Sequence, residues 1–412
     1  MFITKLAIKN LLRHRNRTLV TAIIIAFAIF YYILLDSMIG GMTQMSYQTL
    51  IDYEAGHLQV VQEAYWDEEE ELPLEHLIDL DDEILTVIKG VPGHQGSSPE
   101  LSFRAMLNNG INELPVVGKG IVPDLFGQVF ALEDQYVEGT MFRLGQHQAV
   151  LGQRLADLMQ LEVGDYITLL VRDKNKTFNT IDVEVAGLVH TSNPNVNSNY
   201  VYLPLDLVQQ ALNTDGQVSK VIVKLANANA AKRVAGELAG VLQTSDPRLQ
   251  VFAWEDLEAV TVAKAKQAAN GLILGIILII AAIAIINTVI LAALERMGEI
   301  GMMKALGMQT KEVVYTFVLE SVGIGIIGGL VGVLFGVVGI WALNLYGLDY
   351  GAWFNLDMAS YGIPIIGKMY GVWNPHSFVL VFGFGVLASL LASILPAYWA
   401  ADKDPVKAIY HR

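Results

Sequence analysis

The chain has 412 residues, 53% hydrophobic and only 17% charged, a balance too apolar for a soluble enzyme of this length. Its formal net charge of −14, with no Lys or Arg between positions 41 and 88, argues against a nucleic-acid partner. The absence of cysteine excludes metal–thiolate sites, disulfides and a thiol nucleophile.

Residues 1–17 carry Lys5, Lys9, Arg13, Arg15 and Arg17. The first three recur every fourth residue, beside Ile3, Leu6, Ala7 and Leu11. That spacing predicts an amphipathic helix lying on the inner membrane surface, or a simple topology determinant. The apolar run 19–35 follows. Its basic lead is long and no small-x-small site closes it, so the expectation is a retained first span at 18–40, not a cleaved signal.

Residues 41–268 read as a globular domain holding most of the charge. The block Asp67, Glu68, Glu69, Glu70, Glu71 has the character of a solvated loop and lacks the spacing of a calcium-binding loop. Strands are expected at 57–62, 101–106, 115–122, 166–171, 181–189, 200–203, 218–225 and 249–252. The apolar–polar alternation is clearest from Ile181 to Val185. Helices are expected at 81–88, 152–160, 206–212, 229–243 and 255–268, the last running on into the second span. Strands interleaved with single helices indicate a large α+β domain. Neither a G-x-S-x-G nor an H-E-x-x-H motif occurs, and the histidines at 57, 76, 94, 147, 190 and 376 are scattered. No catalytic residue and no metal site are expected.

Three further spans follow, at 269–294, 313–348 and 376–401. Residues 271–294 are 24 consecutive uncharged residues, enough to cross a bilayer as a helix. The connecting segments are 295–312 and 349–375, and 402–412 form a tail. Residues 362–368 imitate the start of a phosphate-binding loop, but Met369 stands where a hydroxyl must hold magnesium. Eleven of the 27 Lys and Arg lie in 1–17, 295–312 and the tail, whereas 349–376 holds only Lys368. The positive-inside rule then puts both termini and 295–312 in the cytoplasm, and 41–268 and 349–375 outside. The fold class expected is an α-helical membrane protein with four transmembrane helices and a large α+β extracytoplasmic domain between the first two.

The third span places Gly325 with Gly329, and Gly328 with Gly332 and Gly336, at four-residue intervals; Gly385 and Ser389 do the same in the fourth. Small residues at this interval let helix backbones approach closely. Within 271–294, 321–348 and 377–401 there is no Asp, Glu, Lys, Arg or His, which disfavours an ion-coupled carrier. Between spans two and three, Glu295, Arg296, Glu299 and Lys304 offer polar contacts. Met297, Ile300, Met303 and Leu306 form an apolar stripe, and Gly307 suits a helix stop. Such a short helix can dock in a groove of a cytoplasmic partner.

The run Glu295-Arg296-x-x-Glu299-Ile300-Gly301-x-x-Lys304-Ala305-Leu306-Gly307 resembles the hinge motif of MacB/FtsX-type ABC transporter permeases, nearest the MacB and lipoprotein-releasing LolC/LolE members. Ala7 to Leu11 with Arg13 and Arg17-Thr18 is similar to that family's entry segment. Val150 to Ala156 with Gly164-Asp165 is similar to part of its external domain, and Pro396-Ala397 through Pro405 to Ala408 to its ending. The resemblance implies a separate cytoplasmic ATPase subunit docking at the hinge, with ATP and Mg bound there and no cofactor on this chain. It also implies a second permease copy or paralogue, with a periplasmic adaptor or a lipoprotein as a further partner. The implied location is the bacterial inner membrane. The implied work is lipoprotein release or MacB-like export, driven by motion passed to the external domain. An alternative is a non-transporting permease that regulates an external hydrolase or a sensor kinase.

Overall fold

The computed structural model describes residues 2–13, 15–354 and 367–402. Residues 362–366 of the phosphate-loop imitation lie outside the described residues, as do Lys403, Lys407, Arg412 and the motif at 405–408. The chain divides into a helical unit (Met1–Thr43, Ala265–Leu348, Met369–Arg412) and a globular unit (Gln44–Lys264, Asp349–Lys368).

Among the described residues, four helices are long and apolar enough to cross a membrane: Thr18–Ala55, Glu258–Ala292, Thr310–Tyr346 and Pro375–Trp399. They run longer than the apolar segments that reveal them. The helix Arg15–Leu50 passes straight through Thr43 and Gln44, and Glu258–Glu295 starts well before the uncharged stretch. Hydropathy marks what a bilayer tolerates, whereas a nucleated helix propagates until a residue stops it. Here a π-helical turn at Ile51–Ala55 ends at Gly56, whose φ of +59° favours glycine. Ile25, Ile29, Ile33, Ile285, Val289, Ile324 and Val381 share the helical unit's interior. Leu19, Phe27, Leu272, Ile279, Leu334 and Leu387 are exposed on the outside. Apolar side chains on both faces, on helices that satisfy their own backbone, are what a hydrocarbon solvent selects.

The globular unit is built on one ten-stranded sheet: β1 (Leu58–Gln62), β2 (His94–Asn108), β3 (Glu113–Ile121), β4 (Tyr136–Gly139), β5 (Gln148–Gly152), β6 (Tyr166–Arg172), β7 (Phe178–Val189), β8 (Tyr200–Pro204), β9 (Lys220–Leu225) and β10 (Leu249–Ala253). Their spatial order is β10-β1-β9-β2-β3-β8-β5-β7-β4, with β6 bridging β2 and β7. Most pairs are antiparallel; β3–β8 and β5–β7 are parallel. Successive residues of the central strands point into two cores. Leu151, Val201, Leu203, Val221 and Val223 enter the larger one, with Ile88, Leu155, Val208 and Leu238 of the covering helices. Val150, Tyr200, Tyr202 and Ile222 enter the other, closed by Phe126, Phe130 and Phe142. Burial on both faces explains why β8 and most of β9 read as unbroken apolar runs.

The eight expected strands are present, β2 starting at His94 instead of 101. β4 and β5 were not expected. β5 is short and runs directly into the helix Gln153–Met159, and the helix expected at 152–160 overlaps it only at Gly152. The helices Pro123–Val129 and Pro194–Ser198 were also not expected; each opens on a proline, which is tolerated in a first turn.

Candidate functional site

Between the second and third long helices lies the short helix Met297–Ala305. Gly307, at φ +97°, ends it and donates to the Lys304 carbonyl at 2.9 Å. Only a residue at ease in the left-handed region makes this stop without cost. Gln309 and Glu312 then cap the helix Thr310–Tyr346 reciprocally, the Gln309 N–H donating to Glu312 Oε2 at 3.0 Å.

Arg296, 4% exposed, is the hub. Its Nε donates to Glu299 Oε2 at 2.7 Å, its Nη1 pairs with Glu320, and its guanidinium lies 4.9 Å from the centre of the Phe317 ring. The other oxygen of Glu320 accepts from Asn10 Nδ2 at 2.6 Å. One buried carboxylate therefore ties the N-terminal helix Phe2–Arg13 and the short helix to the third long helix. Met297 and Ile300 are buried against Val313, Phe317, Ala397 and Ala401, with Met303 packed beside them. Lys304 Nζ donates to the Ala401 carbonyl at 2.6 Å, near the end of the last helix.

The predicted coupling residues thus separate into two groups. Arg296, Met297, Glu299, Ile300, Met303 and Lys304 fasten the short helix to its own chain. Glu295, Leu306 and Gly307 face outward, Leu306 being 87% exposed. Met297, Ile300 and Met303 of the apolar stripe point at neighbouring helices, whereas its fourth member, Leu306, does not. Met302, exposed beside Leu306, belongs to the outward surface and was not singled out in the sequence.

The predicted packing residues meet as follows. A Cβ on Gly328, Gly332 or Gly336 would lie 2.9, 2.8 and 3.2 Å from the Cβ atoms of Ile25, Ile29 and Ile33 respectively. Gly325 faces Ser389 and Val386, Gly329 faces the Phe382 ring, and Gly385 faces Ile29 Cδ1 at 2.9 Å. Ser389 Oγ donates to the Gly385 carbonyl at 2.8 Å. One side of the third long helix seats the first, and another side seats the fourth.

The globular unit holds a second polar constellation that the sequence does not announce. Glu100 on β2, 1% exposed, lies 3.2 Å from Lys119 Nζ on β3 and 3.8 Å from Lys220 Nζ on β9. It also accepts from Ser102 Oγ at 2.7 Å. Lys220 reaches Glu69 of the acidic block at 3.0 Å. Burial alone would raise the Glu100 pKa, but the two ammoniums and the Ser102 hydroxyl outweigh it and hold the carboxyl below its ordinary range. Burial likewise pulls Lys220 down, and Glu69 and Glu100 overcome it, so its pKa is raised. Tyr65 beside them is pushed up to about 12, chiefly by burial. The acidic block is therefore only partly a solvated loop. Nearby, Glu54 accepts from Tyr200 and, at 2.9 Å, from Asn193 Nδ2. His57 is buried and its Nδ1 accepts from the Leu225 N–H at 2.9 Å. No group of three His, Cys, Asp or Glu able to hold a metal occurs among the described residues.

The family profile of the MacB-like periplasmic core domain matches residues 18–241, more than half of the chain, and that of the FtsX-like permease C-terminal matches residues 271–405. The chain belongs to the MacB/FtsX-type ABC transporter permeases. It is 25% identical over 327 residues to the lipoprotein-releasing system transmembrane protein LolC of Xylella fastidiosa, covering 77% of this chain and 78% of that protein. It is 26% identical over 260 residues to an ABC transporter permease of Methanocaldococcus jannaschii, covering 61% and 58% of the two chains. It is also 26% identical over 212 residues to the macrolide export ATP-binding/permease protein MacB of Nitrobacter winogradskyi, covering 50% and 30%. This permease is accordingly a membrane protein with a large MacB-like domain and, among the described residues, four apolar helices.

Proposed function

We propose that this permease is the transmembrane subunit of an ABC transporter in the bacterial inner membrane, with both termini cytoplasmic and ATP hydrolysed on a separate subunit. That ATPase binds ATP and Mg; this chain binds neither. The observation that carries the reading is the short helix Met297–Ala305, held inward by Arg296 and Glu320 while Leu306 is left 87% exposed. A rigidly mounted knob with an apolar tip suits a groove on a partner, and a pull on it passes into the long helices through buried contacts. The permease pairs with a second copy or a paralogue. Of lipoprotein release and MacB-like export, we favour lipoprotein release, because the alignment with the lipoprotein-releasing relative spans most of both chains. A lipoprotein is then the cargo, and a periplasmic adaptor is the partner that the export role calls for.

Leu306→Asp tests the docking role without touching the core. Losing a buried leucine contact of about 1.5–3 kcal/mol weakens ATPase capture by roughly tenfold or more. The variant should insert and fold as the wild type does, yet lose the ATPase on co-purification and fail to release acylated protein from proteoliposomes on adding ATP. Undiminished capture and release would refute the docking role.

A further inference from the structure

We propose that the globular unit contains a binding site for a short, basic, amphipathic segment of polypeptide. The inference goes beyond the transport reading, and needs neither the ATPase nor the cargo to be tested.

The site is a cavity of about 700 Å³, in the size range of specific ligand pockets. Eight carboxylate residues line it, against two ammoniums. Asp67 to Glu71 supply five of the eight, and Asp256 and Glu258 two more. Both ammoniums are already engaged, Lys119 with Glu100 at 3.2 Å and Lys220 with Glu69 at 3.0 Å. Among the described residues, no Lys or Arg forms an ion pair with the carboxylate of Asp67, Glu68, Glu70, Glu71 or Glu258; Arg104 reaches only the Glu70 backbone carbonyl, at 2.6 Å. These charges repel one another around a shared space, and a cationic guest relieves that repulsion.

An independent observation asks for the same chemistry. Gln59 lines the cavity and is 3% exposed. Its Nε2 donates to the Ala55 carbonyl, but its Oε1 is buried with no hydrogen-bond partner. A buried acceptor left unpaired is costly and calls for a donor. Carboxylates and the orphan amide oxygen all seek N–H groups, as lysine and arginine side chains and a peptide backbone provide. A bare metal ion does not fit, since no three acidic or imidazole groups converge closely enough among the described residues. The carboxylates are spread along the cavity, which suits several cationic groups spaced along a chain. Leu50, Leu257 and Trp66 also face the space, the Trp66 ring stacked on Phe252 at 3.8 Å between centroids. These apolar walls select a segment that alternates basic and apolar side chains over a uniformly hydrophilic polyamine.

The test uses the full chain in nanodiscs of zwitterionic phosphatidylcholine, titrated with the peptide Lys-Leu-Lys-Leu-Lys and read by tryptophan fluorescence. The expected result is saturable binding that weakens with ionic strength. Its fluorescence change should disappear in Trp66→Phe, and the triple variant Glu68→Gln, Glu70→Gln, Glu71→Gln should bind at least about tenfold more weakly. Those three glutamates are exposed, so their replacement leaves the fold intact. Gln59→Leu should also weaken binding. Absence of binding, unchanged affinity in the triple variant, or equal affinity for Lys-Gly-Lys-Gly-Lys would each overturn the proposal.

Discussion

Replacing Glu100 by Gln probes the buried charge cluster most directly. Its carboxylate lies 3.2 Å from Lys119 and 3.8 Å from Lys220. At an effective dielectric near 20 those separations correspond to about 5 and 4 kcal/mol of attraction. Several kcal/mol of desolvation per ion offset much of this, but the desolvation of the lysines persists when their partner is neutralised. The variant should therefore lose about 3–5 kcal/mol, the usual cost of stranding a buried charge. Chemical unfolding of the full chain in mild detergent, followed by tryptophan fluorescence, measures the loss. The double variant Glu100→Gln/Lys119→Met leaves Lys220 with Glu69 and removes the other orphan, so it should be more stable than the sum of the single changes implies. The acid limb supplies a second readout. Glu100 is held below its ordinary pKa, so its stabilisation is complete above the unfolded value of about 4.3 and is lost as pH falls through the folded value. Lys220 is the mirror case: its contribution is complete below about 10.4 and is lost as pH rises through the raised folded value. A loss below about 1 kcal/mol, or additivity within about 0.5 kcal/mol in the double variant, would refute this account.

Other expectations follow from single contacts. Gly332→Val would press methyl groups against Ile29 and the Ala26 carbonyl, costing about 1–3 kcal/mol of overpacking and lowering the yield of folded protein in size-exclusion profiles. Gly240→Ala, where an added Cβ meets nothing within 4 Å in an exposed helical position, should instead stabilise by about 0.4–1 kcal/mol. Asn193→Ala removes the cap that accepts from Asn195 N at 2.8 Å and the link to Glu54, so the midpoint of unfolding should fall by the equivalent of about 1–2 kcal/mol.

The glycine rows were legible because small residues at a fixed interval have one physical use in a membrane helix. The strands were legible because most alternate or run apolar between turn residues. Direction was harder. The stripe Met297, Ile300, Met303 announces a partner but does not say whether that partner lies in the same chain, and the structure shows that it does. Ile300→Lys, natural from sequence as a docking mutation, would bury an ammonium. Lys119 and Lys220 gave no sign of burial, since their common partner Glu100 lies on another strand and pairing across a sheet is not written in local composition. β5 was hidden because five residues that run straight into a helix are too few to show a strand's period.

The isoleucines at 25, 29 and 33 rest in notches left by the glycines at 328, 332 and 336. Teeth one turn apart cannot creep past each other. A shift of the first helix along the third by four residues, roughly 6 Å, would set Ile33 against Ile340 or Ile25 against Ile324, where no notch exists. The pair has one register only, and an axial push on either helix is carried by both together.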